Sequence, residues 1–143
     1  MQFKRLLSFI WDIPIEKTSS KYNPYLEVVW SYGRKMLNTE TANYSFGNGY
    51  EVFQRAFKEV EQEINKAKDV LILGFGCGSI LHLLEKKYNV KPDIVGIEYD
   101  AQVLELFDSH FADNYSLQPE LLAMDAEEYM NTCTRRFDII FID

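Results

Sequence analysis

The sequence predicts an α/β protein: a parallel sheet with crossover helices, preceded by a small antiparallel β appendage. Three observations carry this reading. Apolar runs and helix-like segments alternate from residue 70 onward, and alternation at that interval means parallel strands joined by helical crossovers. Residues 70–79 read Val-Leu-Ile-Leu-Gly-Phe-Gly-Cys-Gly-Ser, an apolar run closed by three glycines. Residues 94–100 read Ile-Val-Gly-Ile-Glu-Tyr-Asp. Glu98 thus ends a second apolar run about twenty residues past the glycines, as the acid does in nucleotide-binding βαβ units. The sheet is therefore expected to be Rossmann-like.

Residues 1–45 are expected to form the appendage, and residues 46–143 a Rossmann-like nucleotide-binding domain that is incomplete at its C-terminal end. The chain starts with a basic, briefly apolar stretch, but Asp12 and Pro14 follow and no small-residue cleavage site does. It is not read as a signal peptide. Ile13–Thr18 is a candidate strand, with Pro14 placing it at an edge. Residues 26–32 are rich in β-branched and aromatic types; Gly33 follows, then a second short run at 35–38. Together they predict a hairpin. Residues 43–49 read as a turn-rich loop. Phe53, Ala56, Phe57, Val60 and Ile64 recur at helical spacing, which predicts one helix over 50–66. Strands follow at 70–73, 94–98, 121–124 and 137–142, with helices at 79–88, 101–111 and 126–133. In the usual order for such folds, the fourth of these strands lies beside the first. Residues 137–143, Phe-Asp-Ile-Ile-Phe-Ile-Asp, are almost wholly apolar. A parallel strand buried on both faces reads this way, so further strands or another chain are expected to cover it.

Composition narrows the partners. With 143 residues, 47% of them hydrophobic, the chain can bury a core of one domain and an appendage. Fifteen basic against 22 acidic residues leave a net charge of -7. No basic stripe accompanies the aromatics, so nucleic acid is not an expected partner. No stretch reaches transmembrane length, so no membrane is expected either. The two cysteines, Cys77 and Cys133, lie far apart. Within an α/β pattern they are expected to be reduced thiols of a cytoplasmic protein. No His, Cys or acidic cluster has metal-ligand spacing, so no metal is expected.

Gly74, Gly76 and Gly78 could form a tight strand-to-helix turn and nothing more, or could cradle a ligand. Dinucleotide folds prefer G-x-G-x-x-G, whereas here the third glycine comes one position early and Ser79 follows. The spacing argues against a dinucleotide oxidoreductase, and no Gly-Lys-Ser/Thr makes a P-loop. G-x-G-x-G suits a ligand that carries adenosine and an amino-acid-like tail without a pyrophosphate. Glu98 is either a solvated carboxylate or a bidentate acceptor for two ribose hydroxyls. Asp100 can cap the next helix. Asp125 can cap the helix that starts at Ala126, or accept from an adenine amino group. Asp143 ends the fourth strand. The glycine loop, Glu98, Asp125 and Asp143 all fall at carboxyl ends of strands, where open parallel sheets bind ligands. Cys77 reads as a small loop filler, because no His or second Cys stands by to make it a reactive thiolate. His82 reads as a surface or half-buried helix position.

These residues resemble the spermidine synthase family, within the wider class of Rossmann-like S-adenosylmethionine-dependent methyltransferases. The resemblance covers nearly the whole chain. Gly33-Arg-Lys-Met-Leu-Asn38 is similar to the end of the family's N-terminal β-domain, and Tyr50-Glu51-Val-Phe53 to its Tyr-x-Glu helix start. Residues 70–79 match its glycine motif, 95–100 its second-strand motif, 122–126 its adenine-side motif, and 137–143 the strand that leads to its catalytic aspartate. The resemblance implies a methyltransferase-type sheet in which Glu98 holds ribose, and Asp125 and Ala126 flank adenine. It implies that Asp143 is the base that deprotonates an attacking amine. The implied co-substrate is S-adenosylmethionine or its decarboxylated form. A small-molecule acceptor, with a polyamine as candidate, and a homodimeric assembly complete the expectation. One departure stands out. The family's loop reads Gly-Gly-x-Asp-Gly-Gly, and its aspartate recognises the donor's amine. Cys77 occupies that place here, which predicts no strong preference for the decarboxylated donor. The rival expectation is a nucleotide-fold module that binds or assembles without catalysis.

Overall fold

The structure is a computed structural model, and it describes residues 2–40, 43–46 and 48–143. Two four-stranded sheets organise the described residues. The first contains β1 (Ile13–Thr18), β2 (Leu26–Ser31), β3 (Arg34–Thr39) and β4 (Asn43–Ser45), in that order and antiparallel throughout. Tyr32 and Gly33 join β2 to β3 with φ of 47° and 76°. Positive φ at both central residues is what a two-residue type I′ hairpin turn needs. Pro14 does lie on the edge strand, where the register shifts between Pro14 and Glu16. Pairing of Leu37 with Ser45 makes β4 out of residues expected to be loop. The strand partner overrides the turn-rich composition there. Gly47, within that expected loop, lies outside the described residues.

Helix α1 (Gln2–Leu7) precedes this sheet, where the sequence suggested no element. It is tied to the hairpin turn: the Ser8 hydroxyl accepts from the Gly33 N–H at 2.9 Å, and Arg5 Nε donates to the Gly33 carbonyl at 3.0 Å.

The second sheet contains β5 (Asp69–Leu73), β6 (Asp93–Glu98), β7 (Glu120–Ala123) and β8 (Ile139–Ile142). All are parallel, in the order β7-β6-β5-β8. As expected, β8 lies beside β5. On one face Val70, Ile72, Ile94 and Phe141 join the main core with Phe57, Ile64, Leu81 and Val103. The opposite face buries Leu71, Leu73, Val95 and Ile97 against Tyr129 and Ala126 of α6 (Ala126–Thr132).

Two expectations are corrected. The helix expected over 50–66 is broken into α2 (Asn48–Glu59) and α3 (Glu61–Ile64). Val60 leaves the helical region at φ -116°, ψ 26° and points to solvent, while Phe57 and Ile64 remain fully buried. The break lets two buried anchors seat without bringing Val60 inward. The helix expected over 79–88 is α4 (Ser79–His82) followed by a π-helical turn, Leu83–Lys87, closed by Tyr88 N–H to the Leu83 carbonyl at 3.0 Å. The wider turn carries Glu85 inward. Its carboxylate accepts from the N–H groups of Ser116 and Leu117 at 2.8–3.1 Å. In β8 one face is buried and the other is open in this chain, as expected where further strands or another chain would cover it. Phe141 stacks on Phe57 at 4.8 Å, but Ile140 and Ile142 are 45% and 73% exposed. The apolar run spends every second residue on a face that no described element covers.

Candidate functional site

The carboxyl ends of β5, β6, β7 and β8 open into one crevice of about 300 Å³. Of the residues singled out above, it brings together Gly74, Glu98, Asp125, Ala126 and Asp143, which all line it. Gly76 and Gly78 stand behind the lining. The parallel register does this, since each strand ends on a crevice-facing residue at the same level.

Gly74 has φ +81°, and a Cβ there would meet the Asp143 carbonyl oxygen at 2.9 Å. Glycine is what lets the end of β8 close on the end of β5. Gly76 has φ +56°, and its missing side chain admits the Ser45 hydroxyl, which a Cβ would meet at 2.8 Å. That hydroxyl accepts from the Cys77 N–H at 2.8 Å, while Ser79 Oγ accepts from the Phe46 N–H at 3.1 Å. So β4 of the first sheet braces the glycine loop of the second. Gly78 is the N-cap residue of α4.

Glu98 is the best-anchored acid in the crevice, only 3% exposed. Its Oε2 accepts from the Gly76 N–H at 2.9 Å. Its Oε1 accepts from the Asp100 N–H at 3.1 Å and the Tyr44 hydroxyl at 3.3 Å. This excludes the solvated-carboxylate reading. Oε2 keeps a lone pair for a ligand donor, and Oε1 gains one where the long Tyr44 bond gives way. Burial first, then the Glu98 charge, pushes the Tyr44 phenol well above its ordinary value, so Tyr44 stays protonated and donates.

Asp125 caps α6: Oδ1 accepts from the Glu127 and Glu128 N–H groups at 2.7 and 3.2 Å. Both bonds fall on one oxygen, which places Oδ2 outside the cap. Asp100 is buried and caps α5 (Ala101–His110) through Gln102 N–H at 3.1 Å. Its Oδ2 accepts from Ser20 Oγ and, at 2.8 Å, from Asn23 Nδ2. The β1–β2 loop is thereby fastened to the rim of the crevice, where Tyr22 packs on Tyr99 at 4.2 Å. Burial and then the charge of Glu98 raise the Asp143 carboxyl above its ordinary value.

Cys77 does not face the crevice. It is fully buried, with Sγ 3.8 Å from the Val103 carbonyl. Burial, then Glu98, pushes the thiol well up, against the opposing Ser45 contact. The loop-filler reading is therefore the right one. The inference from Cys77 to donor preference loses its geometric basis, because residue 77 points into the core. Tyr44, Ser45, Ser20 and Asn23 were missed by sequence reasoning. Each reaches the site from the first sheet by tertiary contact, which no local motif announces. Among the described residues no group of three or more His, Cys, Asp or Glu side chains is arranged to hold a metal ion.

Comparison with protein-family models and with curated proteins gives no match. Solved structures do match in fold. One is a spermidine synthase in complex with the transition-state analogue AdoDATO, at TM-score 0.60 and 20% identity over 92% of this chain. Another is spermidine synthase from Thermotoga maritima, at TM-score 0.60 and 19% identity over 91% of this chain. The chain spans 47% of each. It shares the Rossmann-like fold of those proteins over about half their length.

Proposed function

We propose that the crevice binds S-adenosylmethionine or its decarboxylated form, and that the chain belongs to a transferase that moves a methyl or aminopropyl group to a small-molecule acceptor. The observation that supports this most is Glu98: a buried carboxylate fixed on both oxygens at the end of the second parallel strand. A preorganised acceptor pair of that kind suits a ribose diol, because both hydroxyls donate. Asp125 Oδ2 is the proposed partner for an adenine amino group, with Ala126 beside it.

In such chemistry an acceptor lone pair attacks the carbon beside the sulfonium. The new bond forms as the C–S bond breaks, and the electron pair stays on sulfur as a neutral thioether. The protein supplies orientation and, for an amine acceptor, a base. Asp143 is the proposed base. Its raised proton affinity favours accepting the amine's proton. A polyamine is the proposed acceptor in the aminopropyl case; three acids at one crevice suit a cationic amine. A homodimer is proposed on the exposed apolar run of Phe9, Ile10 and Trp11, and a cytoplasmic setting on the two free thiols. No helix among the described residues is long and apolar enough to cross a membrane.

The second reading is a binding or assembly module without catalysis. Turnover separates the two. Incubating the protein with either donor and a set of amines, with methylthioadenosine or S-adenosylhomocysteine as the detected product, is expected to show release. Binding without release under every acceptor would leave the module.

A further inference from the structure

We propose that a second cavity, between the β2–β3 hairpin and α4, is a binding site for a small ring-bearing anion. It holds about 400 Å³ and shares no lining residue with the crevice. That volume falls within the range of small-molecule sites. The proposal is independent of the transferase reading.

The charge pattern points to an anion. Arg5, Arg34, Lys35 and Lys86 line the cavity and no acid does. Four of the 15 basic residues thus meet in one cavity of a chain whose net charge is -7. Lys86 pairs with Glu85 at 2.6 Å, which leaves the positive field only partly balanced. Among the described residues, no carboxylate pairs with Arg5, Arg34 or Lys35. Arg5 and Lys35 donate to carbonyl groups, and Arg34 rests over the Tyr50 ring at 5.6 Å. His82 registers the uncompensated field. After burial, Arg34 and Lys86 are what disfavour its protonation, and Glu85 opposes them without prevailing.

The shape points to a ring. Phe46 and Phe111, stacked on each other at 5.9 Å and 13°, line the cavity together with Trp30 and Tyr115. Aromatic linings with guanidinium groups bind a planar molecule that ends in anionic oxygens. The rings bury the planar part, and arginine forks chelate carboxylate or phosphate alike. The ligand class is therefore an aryl carboxylate or aryl phosphate monoester.

The test titrates the full chain, carrying Trp11→Phe so that Trp30 is its single tryptophan, and follows Trp30 fluorescence. Phenyl phosphate and benzoate are the probes; benzyl alcohol and inorganic phosphate are the controls. One of the two aryl anions is expected to bind about tenfold or more tighter than either control, from the combined ring and charge contacts. Whichever aryl anion binds tighter assigns the phosphate or the carboxylate class. Arg34→Gln is expected to weaken that binding about fivefold or more, while methylthioadenosine binding is unchanged. Should Arg34→Gln lower the melting temperature, Arg5→Gln provides the same readout from a separate element. Equal binding of benzyl alcohol, equal binding of inorganic phosphate, or affinity untouched by both arginine variants would overturn the proposal.

Discussion

The crevice and the ring-lined cavity have opposite sign and opposite construction. The crevice is acidic, and its parts come from one repeated device, the carboxyl end of a parallel strand. The cavity is basic and aromatic, and its parts come from α1, the hairpin, α4 with its π turn, and the 111–115 segment. The difference teaches how a chain of net charge -7 can carry openings of either sign. What matters is the local field of each opening, set by a few side chains at short range, because exposed charges farther away are screened by salt within about 10 Å. Glu98 and Asp143 set the field of the first opening; Arg34 and Lys86 set that of the second.

The largest expected effect breaks the crevice from behind. Cys77→Asp would bury a carboxylate beside Glu98 with no cation to pair it, at an expected cost of about 3 kcal/mol or more in stability. Thermal melting of the variant checks this. A stable Cys77→Asp protein with altered donor preference would mean that residue 77 faces the ligand after all. Next is Glu98→Ala, which removes the acceptor pair. Affinity for an adenosine ligand is expected to fall by about 1.5–3 kcal/mol, with phenyl phosphate binding in the cavity unaffected. Parallel loss at both openings would show that the variant acts through the fold and not through the site.

How much of each opening is legible in the sequence follows from the same contrast. The crevice is written in short motifs: Gly74 to Gly78, Glu98, Asp125 and Asp143 each follow an apolar run, and β-strand periodicity places them together. The cavity has no such signal. Arg5 and Lys86 are far apart in sequence, and only the docking of the first sheet on α4 joins them. The same reason hides Ser45 and Tyr44, which fell within an apparent loop until pairing with β3 made them a strand. The break at Val60 and the π turn at Leu83–Lys87 escaped because each keeps the helical pattern and shifts its phase by a residue or so. At β8 the all-apolar composition goes with one buried face and one that no described element covers, the face on which the sequence expects further strands or another chain.

The π turn offers a smaller test on the basic side. Burial raises the Glu85 carboxyl, but Lys86 and the N–H groups of Leu117 and Ser116 outweigh it and hold it at about 2, below its ordinary 4.5. A lowered folded-state value means stability that is present above about pH 4.5 and lost as pH falls toward 2. Glu85→Gln is expected to cost about 1–2 kcal/mol at neutral pH, and its melting temperature should fall less between pH 4.5 and 2 than the parent's. An identical pH profile would mean that Glu85 does not hold the 115–117 segment. The smallest expected effect is Tyr44→Phe. Removing the hydroxyl that competes for Glu98 Oε1 should change adenosine-ligand affinity by less than about 1 kcal/mol, toward tighter binding, because the displaced bond is neutral-to-charged but long. A loss of more than tenfold would make Tyr44 a ligand contact in its own right.

The central claim is that the acidic crevice reads an adenosine sulfonium or thioether. Isothermal titration of the protein with S-adenosylmethionine, decarboxylated S-adenosylmethionine, methylthioadenosine and NAD, repeated on Glu98→Ala, tests it most directly. The expected result is binding of at least one of the three sulfur-bearing adenosines, tighter than NAD and weakened in the variant. Preference for NAD, binding of none of the four, or affinities unchanged by Glu98→Ala would contradict it.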